Sequence, residues 1–154
     1  MNSPQGNKIL PLKVGTAATN ATASLTIDRL GFEYANIIVS TAVASATDSA
    51  DKWVSMVLKE GDTTAVASAS NIAAFVGSTA SSVTSGFVLP THNDTAAPSC
   101  ISLAVDCRAR KRYLFLVTQP DANQATYAVT AILSKGKQAA DTTTEQGVNC
   151  FVAG

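Results

Sequence analysis

Apolar and polar residues alternate with a period of two in several segments between residues 23 and 134. The clearest is "SCISLAVD", in which Ile101, Leu103 and Val105 are separated by small residues. Successive side chains of a β-strand point to opposite faces, so this pattern predicts a strand with one buried face. The same reasoning predicts strands over residues 23–29, 32–41, 53–59, 99–106, 113–119 and 125–134.

Other segments also indicate which side chains face the core. Val54, Met56 and Leu58 form a wholly apolar set, so we expect all three to be buried. Residues 32–41 and 113–117 carry apolar side chains on both faces, which predicts a central strand for residues 32–41 and a core strand for residues 113–117. On the last strand the shared apolar face comprises Tyr127, Val129, Ala131 and Leu133.

Between residues 65 and 98 no period dominates, and glycines and prolines punctuate the segment. We expect a long excursion with one or two brief strands, and one helical turn over residues 71–75. An excursion of this length is often where a domain makes its contacts.

Short strands separated by turn signals such as "EGDTT" and "PDAN" describe an all-β fold. We expect an antiparallel β-sandwich, jelly-roll-like, with extended N- and C-terminal arms. The expected boundaries are residues 1–22 for the N-terminal arm, 23–134 for the sandwich and 135–154 for the C-terminal tail.

Each arm contains a short apolar patch. "ILPL" supplies Ile9, Leu10 and Leu12, and the tail segment "VNCFVAG" supplies Phe151 and Val152. For "ILPL" two interpretations stay open, because the patch either folds back on its own domain or docks on a neighbour. We treat all five residues as candidate intermolecular contacts.

Charge is sparse and balanced. The chain of 154 residues has 11 Lys and Arg against 11 Asp and Glu, and charged residues make up only 14% of it. A neutral domain lacks the repulsion that keeps monomers apart, so we expect a homo-oligomer, either a dimer or a trimer. The zero net charge also gives no attraction for nucleic acid, and we expect no such partner.

One basic run, "CRARKR", interrupts this pattern with Arg108, Arg110, Lys111 and Arg112. The simplest interpretation is that these basic residues lead into a strand and that their side chains are exposed to solvent. Nucleic-acid binding would require further cations and open stacking aromatics, whereas the aromatics that follow belong to a core-like alternation. Pairing with acidic residues of another subunit is the alternative that we prefer to DNA, so Arg108, Arg110 and Lys111 join the candidate contacts.

Catalytic and metal-binding patterns are weak. The only histidine, His92, lies in a loop segment without a G-x-S-x-G motif, the carboxylates form no evident pair, and "GDTTA" lacks the ending of a P-loop. Cys100, Cys107 and Cys150 have no C-x-x-C spacing, so reduced thiols are favoured over a Cys100–Cys107 bridge or a zinc site. We expect neither an enzyme nor a cofactor.

The N-terminal residues carry one lysine and no apolar run of seven residues, and no stretch of eighteen apolar residues follows. We therefore expect no signal peptide, no membrane partner and synthesis in a cytoplasm.

Three stretches together resemble a known family: "IDRLGFEYANIIVST", "KWVSMVLKEGDTTAVAS" and "ARKRYLFLVTQPDANQATYAVTAILSKGK". They are similar to small head proteins encoded near the major capsid gene of tailed phages. In that family a Gly-Phe-Glu opens a strand pair, a middle strand runs into an acidic turn, and a Lys-Arg-Tyr strand precedes the last hairpin. The matching positions here are Gly31, Phe32, Glu33, Glu60, Asp62, Arg112 and Tyr113.

The resemblance implies a capsid decoration, or cement, protein with a β-sandwich fold. Such a protein would bind the major capsid protein on the outside of the virion as a small oligomer and stiffen the shell, after synthesis in the host cytoplasm. The chain departs from the family pattern in residues 65–98 and beyond Lys137.

The alternative is a carbohydrate-binding or adhesive β-sandwich, such as a phage fibre module or a surface lectin. Small polar loops suit this function, but a sugar platform requires exposed aromatic side chains. Trp53 is the candidate for such an aromatic side chain, because it opens a strand and the sequence shows no clear packing partner for it.

Overall fold

The computed structural model describes residues 7–16, 21–41, 53–80, 82–90, 99–120 and 126–135. These residues contain nine β-strands and one short 3₁₀ turn at Val66–Ser68. The strands are β1 Lys8–Thr16, β2 Ala23–Asp28, β3 Tyr34–Thr41, β4 Trp53–Gly61, β5 Ser70–Ser78, β6 Phe87–Val88, β7 Ser99–Asp106, β8 Tyr113–Pro120 and β9 Thr126–Ser134.

The strands form two sheets packed face to face. One sheet has four strands in the order β1-β9-β3-β7, and the other has five in the order β2-β8-β4-β5-β6. Every pair is antiparallel except the short β5–β6 pair. The first four strands alternate between the sheets, as do the last three, which is jelly-roll topology. The predicted all-β sandwich is confirmed.

The core lies between the two sheets and comes from the alternation that the sequence displays. The predicted inward sets at residues 101–105 and 127–133 are confirmed, because every member is buried. Burying one such aliphatic side chain contributes about 1.5–3 kcal/mol to folding. The opposing sheet contributes Ile27, Met56, Leu58, Leu114 and Leu116.

The prediction for the start of β4 is wrong at one position. Val54 is 43% exposed, whereas Trp53 is 4% exposed and meets Tyr127 edge-on at a centroid distance of 5.0 Å. A register shift between Trp53 and Ser55 against β8 explains the change, because an extra residue in a strand reverses which side chains face inward. Met56 and Leu58 are buried as predicted.

The strand β8 is a core strand, as predicted. Leu114 and Leu116 point into the main core, while Phe115 is buried on the opposite face of the sheet. The Phe115 ring lies close to Gly61. A Cβ atom added to Gly61 would be 3.2 Å from Cε2 of Phe115. Phe115 thus belongs to a second, smaller apolar contact outside the main core.

The strand β1 belongs to the sandwich, although we expected its residues to lie in the N-terminal arm. It pairs with β9 from Lys8 to Thr16, and Leu10 and Leu12 pack against the core. Pro11 is tolerated since β1 is an edge strand, where a missing N–H breaks no ladder. The structure therefore shows that "ILPL" folds back on its own domain. Ile9 alone of the three is exposed.

The excursion after residue 65 contains two strands, of which β5 is nine residues long. The expected helical turn at residues 71–75 is wrong, since this segment pairs with β4 instead. The excursion packs closely: a Cβ added at Gly77 would lie 2.8 Å from the Met56 carbonyl oxygen and 2.7 Å from Leu89 Cδ2. Only glycine fits there without displacing the backbone.

The outer face of the four-stranded sheet carries no charged side chain in its three central rows. The pairing of the strands puts one residue of each strand in every row. The rows are Ile9, Ile132, Asn36 and Ala104; Pro11, Thr130, Ile38 and Ser102; and Val14, Ala128, Ser40 and Cys100.

Candidate functional site

The charged residues of the described chain concentrate at one end of the sandwich. Here β2, β4, β7 and β9 end and β3 and β8 begin, and the register aligns Asp28, Tyr113 and Gly61 across the five-stranded sheet. Tyr34 lies between Asp106 and Ser134 across the other sheet. We call this region the charged end, and it comprises residues 28–34, 60–62, 106–113 and 135.

A tight turn connects β2 to β3. The Phe32 N–H donates to the carbonyl of Arg29 at 2.9 Å, and Gly31 at the third position of the turn has φ of +87°. A type II turn requires a positive φ there, and glycine adopts it without steric cost. The Leu30 N–H donates to Asp28 Oδ1 at 3.0 Å. The Gly-Phe-Glu motif thus marks the exit from a turn.

Arg29 ties this turn to the basic loop between β7 and β8. Its Nε donates to the carbonyl of Lys111 at 2.9 Å, and its Nη2 donates to the carbonyl of Arg110. The Arg29 N–H donates to the carbonyl of Arg112 at 3.1 Å. One guanidinium therefore satisfies backbone acceptors of a loop about 80 residues away in sequence.

Each cation of the basic loop has a carboxylate partner in its own chain. The salt bridges are Arg108–Asp106 at 2.6 Å, Arg110–Glu60 at 3.5 Å, Lys111–Asp62 at 2.9 Å and Arg112–Asp28 at 2.7 Å. The interpretation that we preferred to DNA binding paired these cations with another subunit, but the partners shown are intramolecular. Whether Arg108, Arg110 and Lys111 also contact a neighbour stays a prediction.

Glu60 is the best-buried member of these pairs, with a side chain only 17% exposed. Its Oε2 accepts a hydrogen bond from the Lys111 N–H at 3.0 Å, while its Oε1 faces Arg110 Nη1. The other three pairs are more exposed on both sides. Exposed ion pairs contribute little to stability, so Glu60 is the most important of the four carboxylates in anchoring the loop.

Two aspartates are held in the ionised form. A hydrogen bond from the Arg108 side chain lowers the pKa of Asp106 to about 2. A hydrogen bond from the Arg112 side chain likewise lowers the pKa of Asp28. Charge-assisted hydrogen bonds favour the ionised carboxylate, so both pairs persist well below neutral pH.

The outer rim of the charged end is aromatic and cationic. Arg108 Cζ lies 5.3 Å from the centroid of the Tyr34 ring, and Lys135 Nζ lies 4.8 Å from it. A cleft of about 310 Å³ opens beside the β2–β3 turn and is lined by residues 29–33 and Arg108. Leu30 at the tip of that turn is 63% exposed. This combination suits contact with a protein surface.

Several predicted residues lie elsewhere. Phe151, Val152, Cys150 and His92 fall outside the described residues. Cys100 is exposed and Cys107 is buried, and both are free thiols. Burial raises the pKa of Cys107, which makes it a poor nucleophile.

Within the described part of the chain, no group of three or more His, Cys, Asp or Glu side chains is placed to hold a metal ion. The same residues include no helix long and apolar enough to cross a membrane.

Sequence reasoning missed Asp28 and Arg29 as members of the site. Both belong to "IDRLGF", where an aspartate precedes a glycine turn, and this spacing is a signal for a side chain that caps the turn. Nothing in the sequence indicates the partner of Asp28, because Arg112 lies 84 positions away.

The comparisons with known proteins do not assign the chain. No family model matches it, and no curated protein matches it.

Proposed function

We propose that the protein is a virion structural protein that binds the outside of a phage capsid and stabilises the shell. Its partner would be the major capsid protein, and its site of action the surface of the virion, after synthesis in the host cytoplasm. In this proposal it has no catalytic activity and requires no cofactor.

The observation that supports this proposal most is the meeting of the three motif segments at the charged end. Gly31, Glu60 and Arg112 represent the three segments, and each takes part in the turn or the hydrogen-bond network there. Because the motifs form one spatial unit, their resemblance to phage head proteins concerns a local structure and not scattered residues. Jelly-roll folds are also frequent among viral capsid proteins, although the fold alone does not define a function.

The charged end is the surface proposed to face the capsid. The four cations of its basic loop are already paired with carboxylates, so its field is mixed in sign and favours a protein over a nucleic acid. Rim charges of this kind orient a partner, while an exposed apolar side chain such as Leu30 contributes contact area.

The carbohydrate-binding alternative is weakened by the position of the tryptophan. Trp53 is the only tryptophan in the chain, and its ring is buried against Tyr127, which is itself buried. Neither ring can therefore stack on a sugar. A glycan array distinguishes the two functions, because a decoration protein is expected to bind none of the sugars on the array.

Co-sedimentation with purified capsids of the source phage, assembled without this protein, tests the proposal. We expect the wild-type protein to pellet with capsids and Leu30→Asp to bind at least tenfold more weakly. The matched control is Val14→Asp, since Val14 is 84% exposed near the opposite end of the sandwich and should tolerate the charge. Absence of wild-type binding would refute the function. Equal loss in both variants would refute the choice of surface.

A further inference from the structure

Within the described residues the two sheets have four edge strands, and three of these edges are protected against pairing with another chain. The edge β1 contains Pro11, a register shift and two lysines, Lys8 and Lys13. The edge β2 is only six residues long and ends at Asp28, and β6 has only two residues. Proline, lysine, irregularity and shortness are the usual protections of an exposed edge.

The fourth edge, β7, has none of these protections. It pairs with β3 over all eight residues from Ser99 to Asp106 without a register shift. Within the described residues its other side pairs with no strand. Its sequence contains no proline, glycine, lysine or arginine, and its one charge, Asp106, stands at the end and is paired with Arg108. Such an edge presents unpaired backbone N–H and C=O groups in a regular row.

We propose that β7 is a self-association surface, at which the β7 strands of two copies pair antiparallel and join their four-stranded sheets into one sheet of eight strands. A two-fold axis relates the copies, so the same edge serves both. This proposal does not depend on capsid binding.

The side chains of β7 suit a second copy of the same strand. A two-fold axis at Ser102 would pair residues 99–105, all of them uncharged, and would leave both Asp106 side chains outside the paired region. Cys100 would then face Ala104 of the other copy on the outer face, and Ile101 would face Leu103 on the inner face. The outer side chains are small and exposed, so they allow close approach.

The interface is expected to be weak. A strand of eight residues is about 27 Å long, and one added strand pair buries less surface than a standard stable interface. We therefore expect a dimer with a dissociation constant of about 10 µM. The occupant that we propose for the β7 edge is a second copy of this chain and not an unrelated protein. The zero net charge of the chain leaves no long-range repulsion between two copies.

Sedimentation velocity of the full chain between about 1 and 200 µM tests the proposal. We expect the wild-type protein to pass from monomer to dimer over this range. Ser102→Lys should weaken the dimer at least tenfold, because it sets two ammonium groups opposite each other at the two-fold axis. The matched control is Thr130→Lys, which lies in the same row of the outer face but on the inner strand β9, and it should dimerise as the wild type does.

A disulfide trap supplies a second measurement that does not depend on the lysine variant. In a Cys100→Ser, Cys150→Ser background, Ser102→Cys should form a covalent dimer on mild oxidation, and Thr130→Cys should not. A wild-type chain that stays monomeric at 200 µM would overturn the proposal. Equal weakening by both lysine variants, or equal trapping by both cysteine variants, would also overturn it, since contact would then involve the face and not the edge.

Discussion

Tyr127 and Thr118 show how a single buried hydrogen bond constrains this core. The two hydroxyl groups are 3.0 Å apart, and both side chains are fully buried between the sheets. Removing one hydroxyl leaves the other buried without its partner, which costs more than the net value of the bond.

We expect Tyr127→Phe to lower the free energy of unfolding by about 2 kcal/mol, because the Thr118 hydroxyl loses its partner. The double variant with Thr118→Val should cost less than the sum of the single variants. Urea denaturation of all four proteins in a double-mutant cycle measures this coupling. Strictly additive losses would show that the hydroxyl groups do not depend on each other.

At the scale of single elements, the loop between β7 and β8 depends on contacts from two other segments, the end of β2 and the end of β4. Arg29 binds its carbonyls, Asp28 pairs with Arg112, and Glu60 accepts from the Lys111 N–H. The loop is basic in sequence, but these contacts make it part of a mixed network. Its conformation is thus set by residues distant in sequence.

Glu60→Ala should lower the free energy of unfolding by about 2 kcal/mol, because it leaves a backbone N–H of the loop without its charged acceptor. Asp62→Ala is the matched control. Asp62 is 71% exposed, so the loss of its pair with Lys111 should have no measurable effect. Chemical denaturation of both variants measures the difference, and equal stability would contradict the anchoring role of Glu60.

The pH dependence of stability should reflect Asp28 and Asp106. Their pKa values are lowered in the folded state, by Arg112 and Arg108 respectively, and that of Asp106 falls to about 2. A carboxylate with a lowered folded pKa stabilises the fold fully above its unfolded pKa of about 3.9, and this contribution is lost as pH falls through the folded value. The contribution of these two residues should therefore be constant from pH 7 to about 5 and decline below pH 4.

Asp28→Asn tests this assignment, since asparagine can still accept the Leu30 N–H but carries no charge for Arg112. We expect a lower Tm at pH 7 and a shallower decline below pH 4 than in the wild type. Thermal unfolding followed by circular dichroism between pH 2 and 7 provides the comparison. Parallel curves would show that the Asp28 pair has no part in acid sensitivity.

The extent to which sequence predicts this fold also differs between elements. Alternation identified the inward side chains of β7 and β9 because these strands are regular throughout their pairing with β3. It failed at Trp53 because the register shift there arises only from pairing with β8. It failed for β1 because Pro11 and Gly15 obscure the local pattern, and its partner β9 lies more than 100 residues away in sequence.

At the scale of the whole molecule, the arrangement separates three surfaces. The charged end carries the ionic network, the outer face of the four-stranded sheet is uncharged in its central rows, and the β7 edge is free to pair within the described residues. The sequence indicated the basic loop and the acidic turn but not their pairing, because ion pairs between segments depend on the closed sandwich. The proposed function assigns the charged end to the capsid and leaves the β7 edge for a second copy.

A cryo-electron microscopy reconstruction of capsids of the proposed source phage, with and without added protein, tests the proposed capsid binding. We expect additional density on the outer surface that fits the two-sheet sandwich, with the β2–β3 turn and the basic loop directed at the shell. A capsid surface identical in the two reconstructions, after incubation with an excess of folded protein, would contradict it.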